Sequence, residues 1–219
     1  MTNACFSVSP TKNAPTKGIK KVTPQVECNL KKCETTLNLE MFFDGTNNNK
    51  DRDSGNQAHT NIARLHDIYS NFRIGGHIRI YIPGVGTRFP EIGEYTETRG
   101  GTACAFGCEA RVIFGLLAVF NALHRCSYDD DLFDKDAVRA LCRNNSSVPD
   151  DYDSENLAKH GIQHGLLQPD LGSNNNRQQS LKRQANQLRK NLANRKPHVV
   201  EVFLDVFGFS RGAAQARVF

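Results

Sequence analysis

The segment HVVEVFLDVFGFSRGAAQARVF (198–219) decides how the rest of the sequence is interpreted. Its first part, 199–207, is apolar and rich in β-branched and aromatic residues, which predicts a largely buried strand. The turn GFSRG (208–212) follows, and the small residues after it predict the start of a helix. A strand, a Gly-x-Ser-x-Gly turn and a helix form a nucleophile elbow, in which a serine is exposed on a strained bend. An ordinary turn of small residues between a strand and a helix is the alternative.

The chemistry of such an elbow assigns roles to its residues. Ser210 would be the nucleophile, and Gly208 and Gly212 would lack the Cβ atoms that clash in a sharp bend. The backbone N–H of Arg211, at the start of the helix, would stabilise an oxyanion.

The composition of the chain limits which partners, compartments and metal sites can be expected. The chain has 219 residues, 38% of them hydrophobic, and a formal net charge of +5, which weakly favours anionic surfaces but specifies no partner. There is no apolar stretch near the roughly 20 residues of a membrane span and no signal-peptide pattern, so we expect synthesis in the cytoplasm. No cofactor and no metal site is predicted. The odd number of cysteines predicts free thiols, with zinc binding by 28 and 33 or by 104 and 108 left open.

Hydrophobic periodicity predicts an α/β fold with a mostly parallel sheet flanked by helices. A polar lead-in (1–34) precedes one domain (35–219), in which 127–196 is interpreted as an insertion or cap. The predicted strands are 37–43, 78–82 and 199–207, and the predicted helices are 62–72, 109–125 and one in the insertion marked by leucines at 181, 188 and 192. The acidic groups of the insertion are interpreted as solvated surface. The basic residues around its helix could contact nucleic acid or phospholipid headgroups. A basic face exposed to solvent is the simpler interpretation.

Four segments together resemble one bacterial family, the α/β-hydrolase-like catalytic domain of type VI secretion phospholipase effectors. They are FFDGTNNNKD (42–51), HTNIARLHDIY (59–69), YIPGVGT (81–87) and GFSRGAA (208–214), and GCEARV (107–112) is a looser match. The resemblance implies a serine esterase that cleaves phospholipid esters. It also implies export by the type VI system, with an immunity protein and a secretion spike protein as partners. Separately, no specific nucleic-acid partner is predicted.

The segment 44–46 should lie beside the elbow, because parallel strands bring their carboxyl ends to one edge of a sheet. Gly45 and Thr46 are therefore candidates for a second oxyanion donor, and Asp44 is a candidate for the site loop. Asp44 could instead hold the loops together by accepting hydrogen bonds.

The sequence departs from the hydrolase pattern after the serine. Such enzymes place an acid and then a histidine downstream of the nucleophile, whereas nine residues follow Ser210. We therefore expect a domain truncated just after the elbow, and a fragment with little or no esterase activity. His59 is the least unfavourable substitute base among the seven histidines. Two alternatives are a non-catalytic remnant or interaction module, and an aspartate-type phosphatase, which Phe42 disfavours because it replaces the required first aspartate.

Overall fold

The computed structural model describes residues 34–98, 107–128, 130–143, 151–162 and 172–219. Most of the predicted lead-in (1–33) and four of the cysteines (5, 28, 33 and 104) lie outside these ranges. In chain order the helices and strands are β1 (Glu34–Phe43), α1 (Lys50–Asp53), α2 (Asn61–Ile68), β2 (His77–Ile82), α3 (Cys108–His124), α4 (Lys135–Cys142), α5 (Asp151–Lys159), α6 (Gly172–Ala193), β3 (His198–Gly208) and α7 (Arg211–Val218).

The three strands form one parallel sheet in the order β2-β1-β3, with helices packed on it. β1 is the central strand, and its register runs from Asn38 opposite His77 to Phe43 opposite Ile82 on one side. On the other side Glu34 pairs with His198 and Phe43 with Gly208. The predicted α/β class is confirmed.

The sheet has two different faces because successive side chains alternate along a strand. On one face Met41 and Phe43 are fully buried against α3, where Leu117 is also fully buried. On the other face Phe42 stacks on Phe207 at 5.1 Å between ring centroids and meets the edge of Tyr69 at 5.4 Å. Burial on both sides explains why β1 ends in an unbroken apolar run.

α2 begins where the sequence predicts and ends four residues earlier. Thr60 caps it, because its hydroxyl accepts the N–H of Ala63 at 3.1 Å. The chain turns extended at Tyr69, and the guanidinium of Arg79 on β2 donates to the carbonyls of His66 and Tyr69. Arg79 thus provides hydrogen-bond donors to carbonyl groups that a further turn of α2 would otherwise pair with its own N–H groups.

Part of the predicted insertion belongs to the main hydrophobic core. Phe133, Leu141 and Leu157 are buried in the same cluster as Met41 and Phe43. The interpretation of its acidic residues as solvated is wrong at one position. Asp153 is fully buried and forms ion pairs with Arg139 and Arg143 of the α4 region.

Across the described ranges, no helix combines the length and apolar character that crossing a bilayer requires.

Candidate functional site

Ser210 lies on the bend between β3 and α7. β3 ends at Gly208 and α7 begins at Arg211, so two residues make the turn. The backbone of Ser210 has φ 54° and ψ −128°, a left-handed conformation that costs a non-glycine residue about 1–3 kcal/mol. The residue is exposed, and its hydroxyl has no hydrogen-bond partner among the described residues. This combination of strain and exposure is what a nucleophile elbow requires.

The two glycines of the motif are required by close backbone contacts. A Cβ added to Gly208 would lie 2.6 Å from the carbonyl oxygen of Gly212. A Cβ on Gly212 would overlap the carbonyl oxygens of Phe43 and Asp44, at the end of β1. Any side chain at either position would therefore force α7 away from β3 or from β1.

The elbow rests on the loop that follows β1. The N–H of Phe209 donates to the carbonyl of Phe43 at 3.2 Å. The ring of Phe209 covers Gly45 so closely that a Cβ there would lie 2.5 Å from the ring. The residue before the serine is thus in direct contact with the 44–46 segment, which the sequence predicts to lie beside the elbow.

Asp44 is the centre of a buried hydrogen-bond network. The residue is 1% exposed, and its carboxylate accepts the N–H of Gly45 at 2.7 Å. It also accepts the hydroxyl of Thr60 at 2.8 and 2.9 Å and that of Tyr81 at 2.6 Å. Burial and the hydrogen bond to Asp44 raise the pKa of Tyr81, so its phenol stays protonated as a donor. Asp44 therefore joins the end of β1 to the start of α2 and to β2.

The three candidate oxyanion donors differ in their surroundings. Arg211 is the first residue of α7, in the turn whose N–H groups have no intrahelical acceptor. The N–H of Gly45 is already donated to Asp44, so it would have to leave that carboxylate to bind an oxyanion. The hydroxyl of Thr46 is buried without a hydrogen-bond partner in the described part of the chain.

A second polar cluster lies next to Tyr81. The ammonium of Lys50 is 3.0 Å from Nδ1 of His66 and 2.8 Å from Asp67, and the Lys50 N–H donates to the Tyr81 hydroxyl. Burial and the neighbouring Lys50 lower the pKa of His66, so the neutral imidazole predominates. The Nδ1 atom of His66 already lies within hydrogen-bond distance of Lys50 and of Asp67.

The described histidines do not supply a base to the elbow. In the ranges that the structure covers, no histidine forms a hydrogen bond with Ser210. His198 is the first residue of β3, at the opposite end of the strand from Ser210. His59 has its Nδ1 buried without a hydrogen-bond partner among the described residues. His164 lies outside the described residues. Nor do the described His, Cys, Asp and Glu residues include a group of three placed to hold a metal ion.

Sequence reasoning missed the residue that fixes the loop after β2. Arg111 on α3 is fully buried, and it donates to the carbonyls of Pro83, Gly84 and Thr87 and to Glu94. The segments 81–87 and 107–112 contain both partners of these hydrogen bonds, but nothing in their local sequence connects them. The strand pattern at 78–82 likewise gives no sign that the Tyr81 hydroxyl binds Asp44.

A similar fold occurs in a solved protein. A crystal structure of an uncharacterized protein from Pseudomonas aeruginosa matches the chain with 30% sequence identity and a TM-score of 0.65. The match covers 86% of this chain and 25% of that protein, so the chain spans about a quarter of its length. No protein-family model and no curated protein matches the chain. The similarity supports the α/β architecture and names no activity.

Proposed function

We propose that Ser210 is the nucleophile of a serine ester hydrolase that acts on phospholipid esters. The observation that carries the proposal is the strained, exposed conformation of Ser210 between β3 and α7. A residue other than glycine adopts a positive φ only at an energetic cost. A serine without a role at this turn would therefore not be expected to have this conformation. The flanking glycines and the contact with the 44–46 loop support the proposal. They lie with Ser210 at the carboxyl-terminal edge of the sheet, where α/β proteins bind ligands.

In the reaction, the Ser210 oxygen bonds to the ester carbonyl carbon while a general base takes the hydroxyl proton. The carbonyl oxygen becomes an oxyanion, stabilised by the Arg211 N–H and by a donor from 45–46. Collapse of this intermediate breaks the bond to the alcohol, which leaves with a proton, and water then hydrolyses the acyl-serine. In this proposal Ser210 is the nucleophile and the Arg211 N–H is on the oxyanion side, while no described histidine hydrogen-bonds to Ser210 as a general base.

The lipid substrate is supported by the surroundings of the serine. Phe209, which directly precedes Ser210 in the chain, is 53% exposed and offers an aromatic surface at the elbow. An acyl chain is the part of an ester substrate that such a surface would bind. The resemblance of the four sequence segments supplies the phospholipid class, cytoplasmic synthesis followed by type VI export, and the immunity and spike proteins as partners.

A fluorophosphonate probe with imidazole as an external base tests this proposal. We expect slow labelling of Ser210 by the probe alone, faster labelling with imidazole, and none in Ser210→Ala. Pyrazole, a much weaker base of similar shape, should give no acceleration. Labelling that persists in Ser210→Ala, or that imidazole leaves unchanged, would contradict the assignment of Ser210. Rapid labelling without added base would instead show that the chain already holds a general base for Ser210.

An interaction module is a second candidate function, and β3 is the observation that favours it. This edge strand exposes Val202, Phe203 and Leu204 by 42%, 50% and 45%, on both of its faces. An exposed apolar edge pairs readily with another strand. Sedimentation over a concentration series tests it, since Phe203→Lys should remove any self-association and Ile68→Lys, another exposed apolar position, should not.

A further inference from the structure

A cleft of about 660 Å³ runs along the outer edge of β2, and we call it the β2-edge cleft. It lies between β2, α3 and the start of α4. Its volume is within the roughly 300–1,000 Å³ of small-molecule sites. β1 separates β2 from β3, which leads into the elbow. The cleft therefore lies at one edge of the sheet and the elbow strand at the other. It is therefore a different site from Ser210.

The wall of the cleft is apolar. The side chains that provide this surface come from β2, α3 and the α4 region; they are Ile78, Ile80, Phe114, Ala118, Phe133 and Val138. Ile80 and Phe114 are only partly buried, so they offer surface to a ligand. Such a wall binds hydrocarbon through the hydrophobic effect.

The rim of the cleft is cationic. Five basic and three acidic residues line it, a difference of two positive charges. Three of the basic residues are engaged: Arg125 pairs with an aspartate, Arg139 pairs with Asp153, and Arg79 binds backbone carbonyls. The side chains of Arg73 and Lys135 are exposed and have no ion-pair or hydrogen-bond partner in the part of the chain that the structure describes. Glu91 and Asp136 also line the cleft, so its basic residues exceed its acidic ones but are not alone. Arg73 and Lys135 are the exposed cations that would attract an anion attached to a hydrocarbon tail.

We propose that the β2-edge cleft binds a single-chain anionic amphiphile, with its acyl chain against Ile80 and Phe114 and its head group between Arg73 and Lys135. A free fatty acid and a lysophosphatidate share this chemistry, since each combines one acyl chain with an anionic head. A neutral amphiphile of equal chain length would bury the same apolar area without meeting the two cations. The proposal does not depend on a reaction at Ser210.

Displacement of a fluorescent fatty acid from the chain tests this site. Laurate and lauroyl lysophosphatidate should displace the probe, and dodecanol should do so about tenfold less well, as expected for two exposed charge contacts. Stronger displacement by lysophosphatidate than by laurate would identify phosphate as the preferred head group, and the reverse order would identify carboxylate. Either order supports the shared chemistry.

Charge-reversal variants separate the cleft from general electrostatic attraction. In Arg73→Glu/Lys135→Glu, laurate should bind at least about tenfold more weakly. The matched control Lys182→Glu/Arg183→Glu, on exposed positions of α6, makes the same change in net charge and should leave binding unchanged. Equal binding of dodecanol and laurate, or equal loss in both double variants, would overturn the proposal. Tighter displacement by an extended acidic peptide than by either lipid would also overturn it.

Discussion

Replacement of Asp44 by alanine should destabilise the chain by several kcal/mol. The change leaves three donors, the buried Gly45 N–H and the partly buried hydroxyls of Thr60 and Tyr81, without the acceptor they share. Each buried donor left unsatisfied costs about 1–3 kcal/mol, so the loss should be about 3–6 kcal/mol after relaxation. Because small domains are stable by only about 5–15 kcal/mol, this is a large share of the whole.

Urea unfolding followed by circular dichroism measures the effect. Tyr81→Phe removes one of the three donors and should cost about 1–2 kcal/mol, which keeps the test usable if Asp44→Ala does not fold. Asp51→Ala is the matched control, since Asp51 is an exposed carboxylate seven residues away and should change stability by less than about 0.5 kcal/mol. A loss below about 1 kcal/mol in Asp44→Ala would refute the idea that this carboxylate holds the three segments together.

Three further substitutions probe other parts of the structure. Gly212→Ala should cost at least about 2 kcal/mol in urea unfolding because its Cβ meets fixed backbone oxygens, whereas Gly55→Ala, with open space around it, should be neutral; equal effects would refute the close contact. Arg111→Lys should lose about 3 kcal/mol or more because a single ammonium leaves several buried carbonyls unpaired, and the exposed control Arg88→Lys should lose nothing measurable. Burial raises the pKa of Glu40 to about 7. The folded state therefore binds more protons than the unfolded state between the usual value of about 4.5 and 7, and the stability from this group is lost as the pH rises through that window. Glu40→Gln should flatten this pH dependence and stabilise the chain at pH 8 by about 1–3 kcal/mol; an unchanged profile would contradict it.

The architecture near the elbow was predictable because local patterns determine it. The apolar run at 199–207, followed by two glycines around a serine, specifies a strand and a sharp turn through sterics alone. The alternation in 78–82 and the apolar end of β1 predict strands for the same local reason. The structure gives these strands one to three additional residues at their ends, where hydrogen bonding to β1 extends the pairing.

Long-range polar contacts were not predictable from the sequence. Arg111 is 24 to 28 residues from the carbonyls that it binds, and nothing local distinguishes it from a surface arginine. Asp153 belongs to an acidic stretch whose composition favours solvent exposure, yet two arginines of another segment neutralise it in the core. For Asp44 the sequence left open a site role or a structural role, and the hydrogen bonds favour the second.

The stability of two variants at position 210 tests the strained elbow most directly. With φ at 54°, glycine should be preferred over alanine, so Ser210→Gly should be more stable than Ser210→Ala by about 1 kcal/mol in urea unfolding. At Ser70, whose φ is not positive, the same pair should show no such preference or the opposite one. If Ser210→Gly is less stable than Ser210→Ala, the serine occupies an ordinary conformation and the case for a nucleophile elbow is lost.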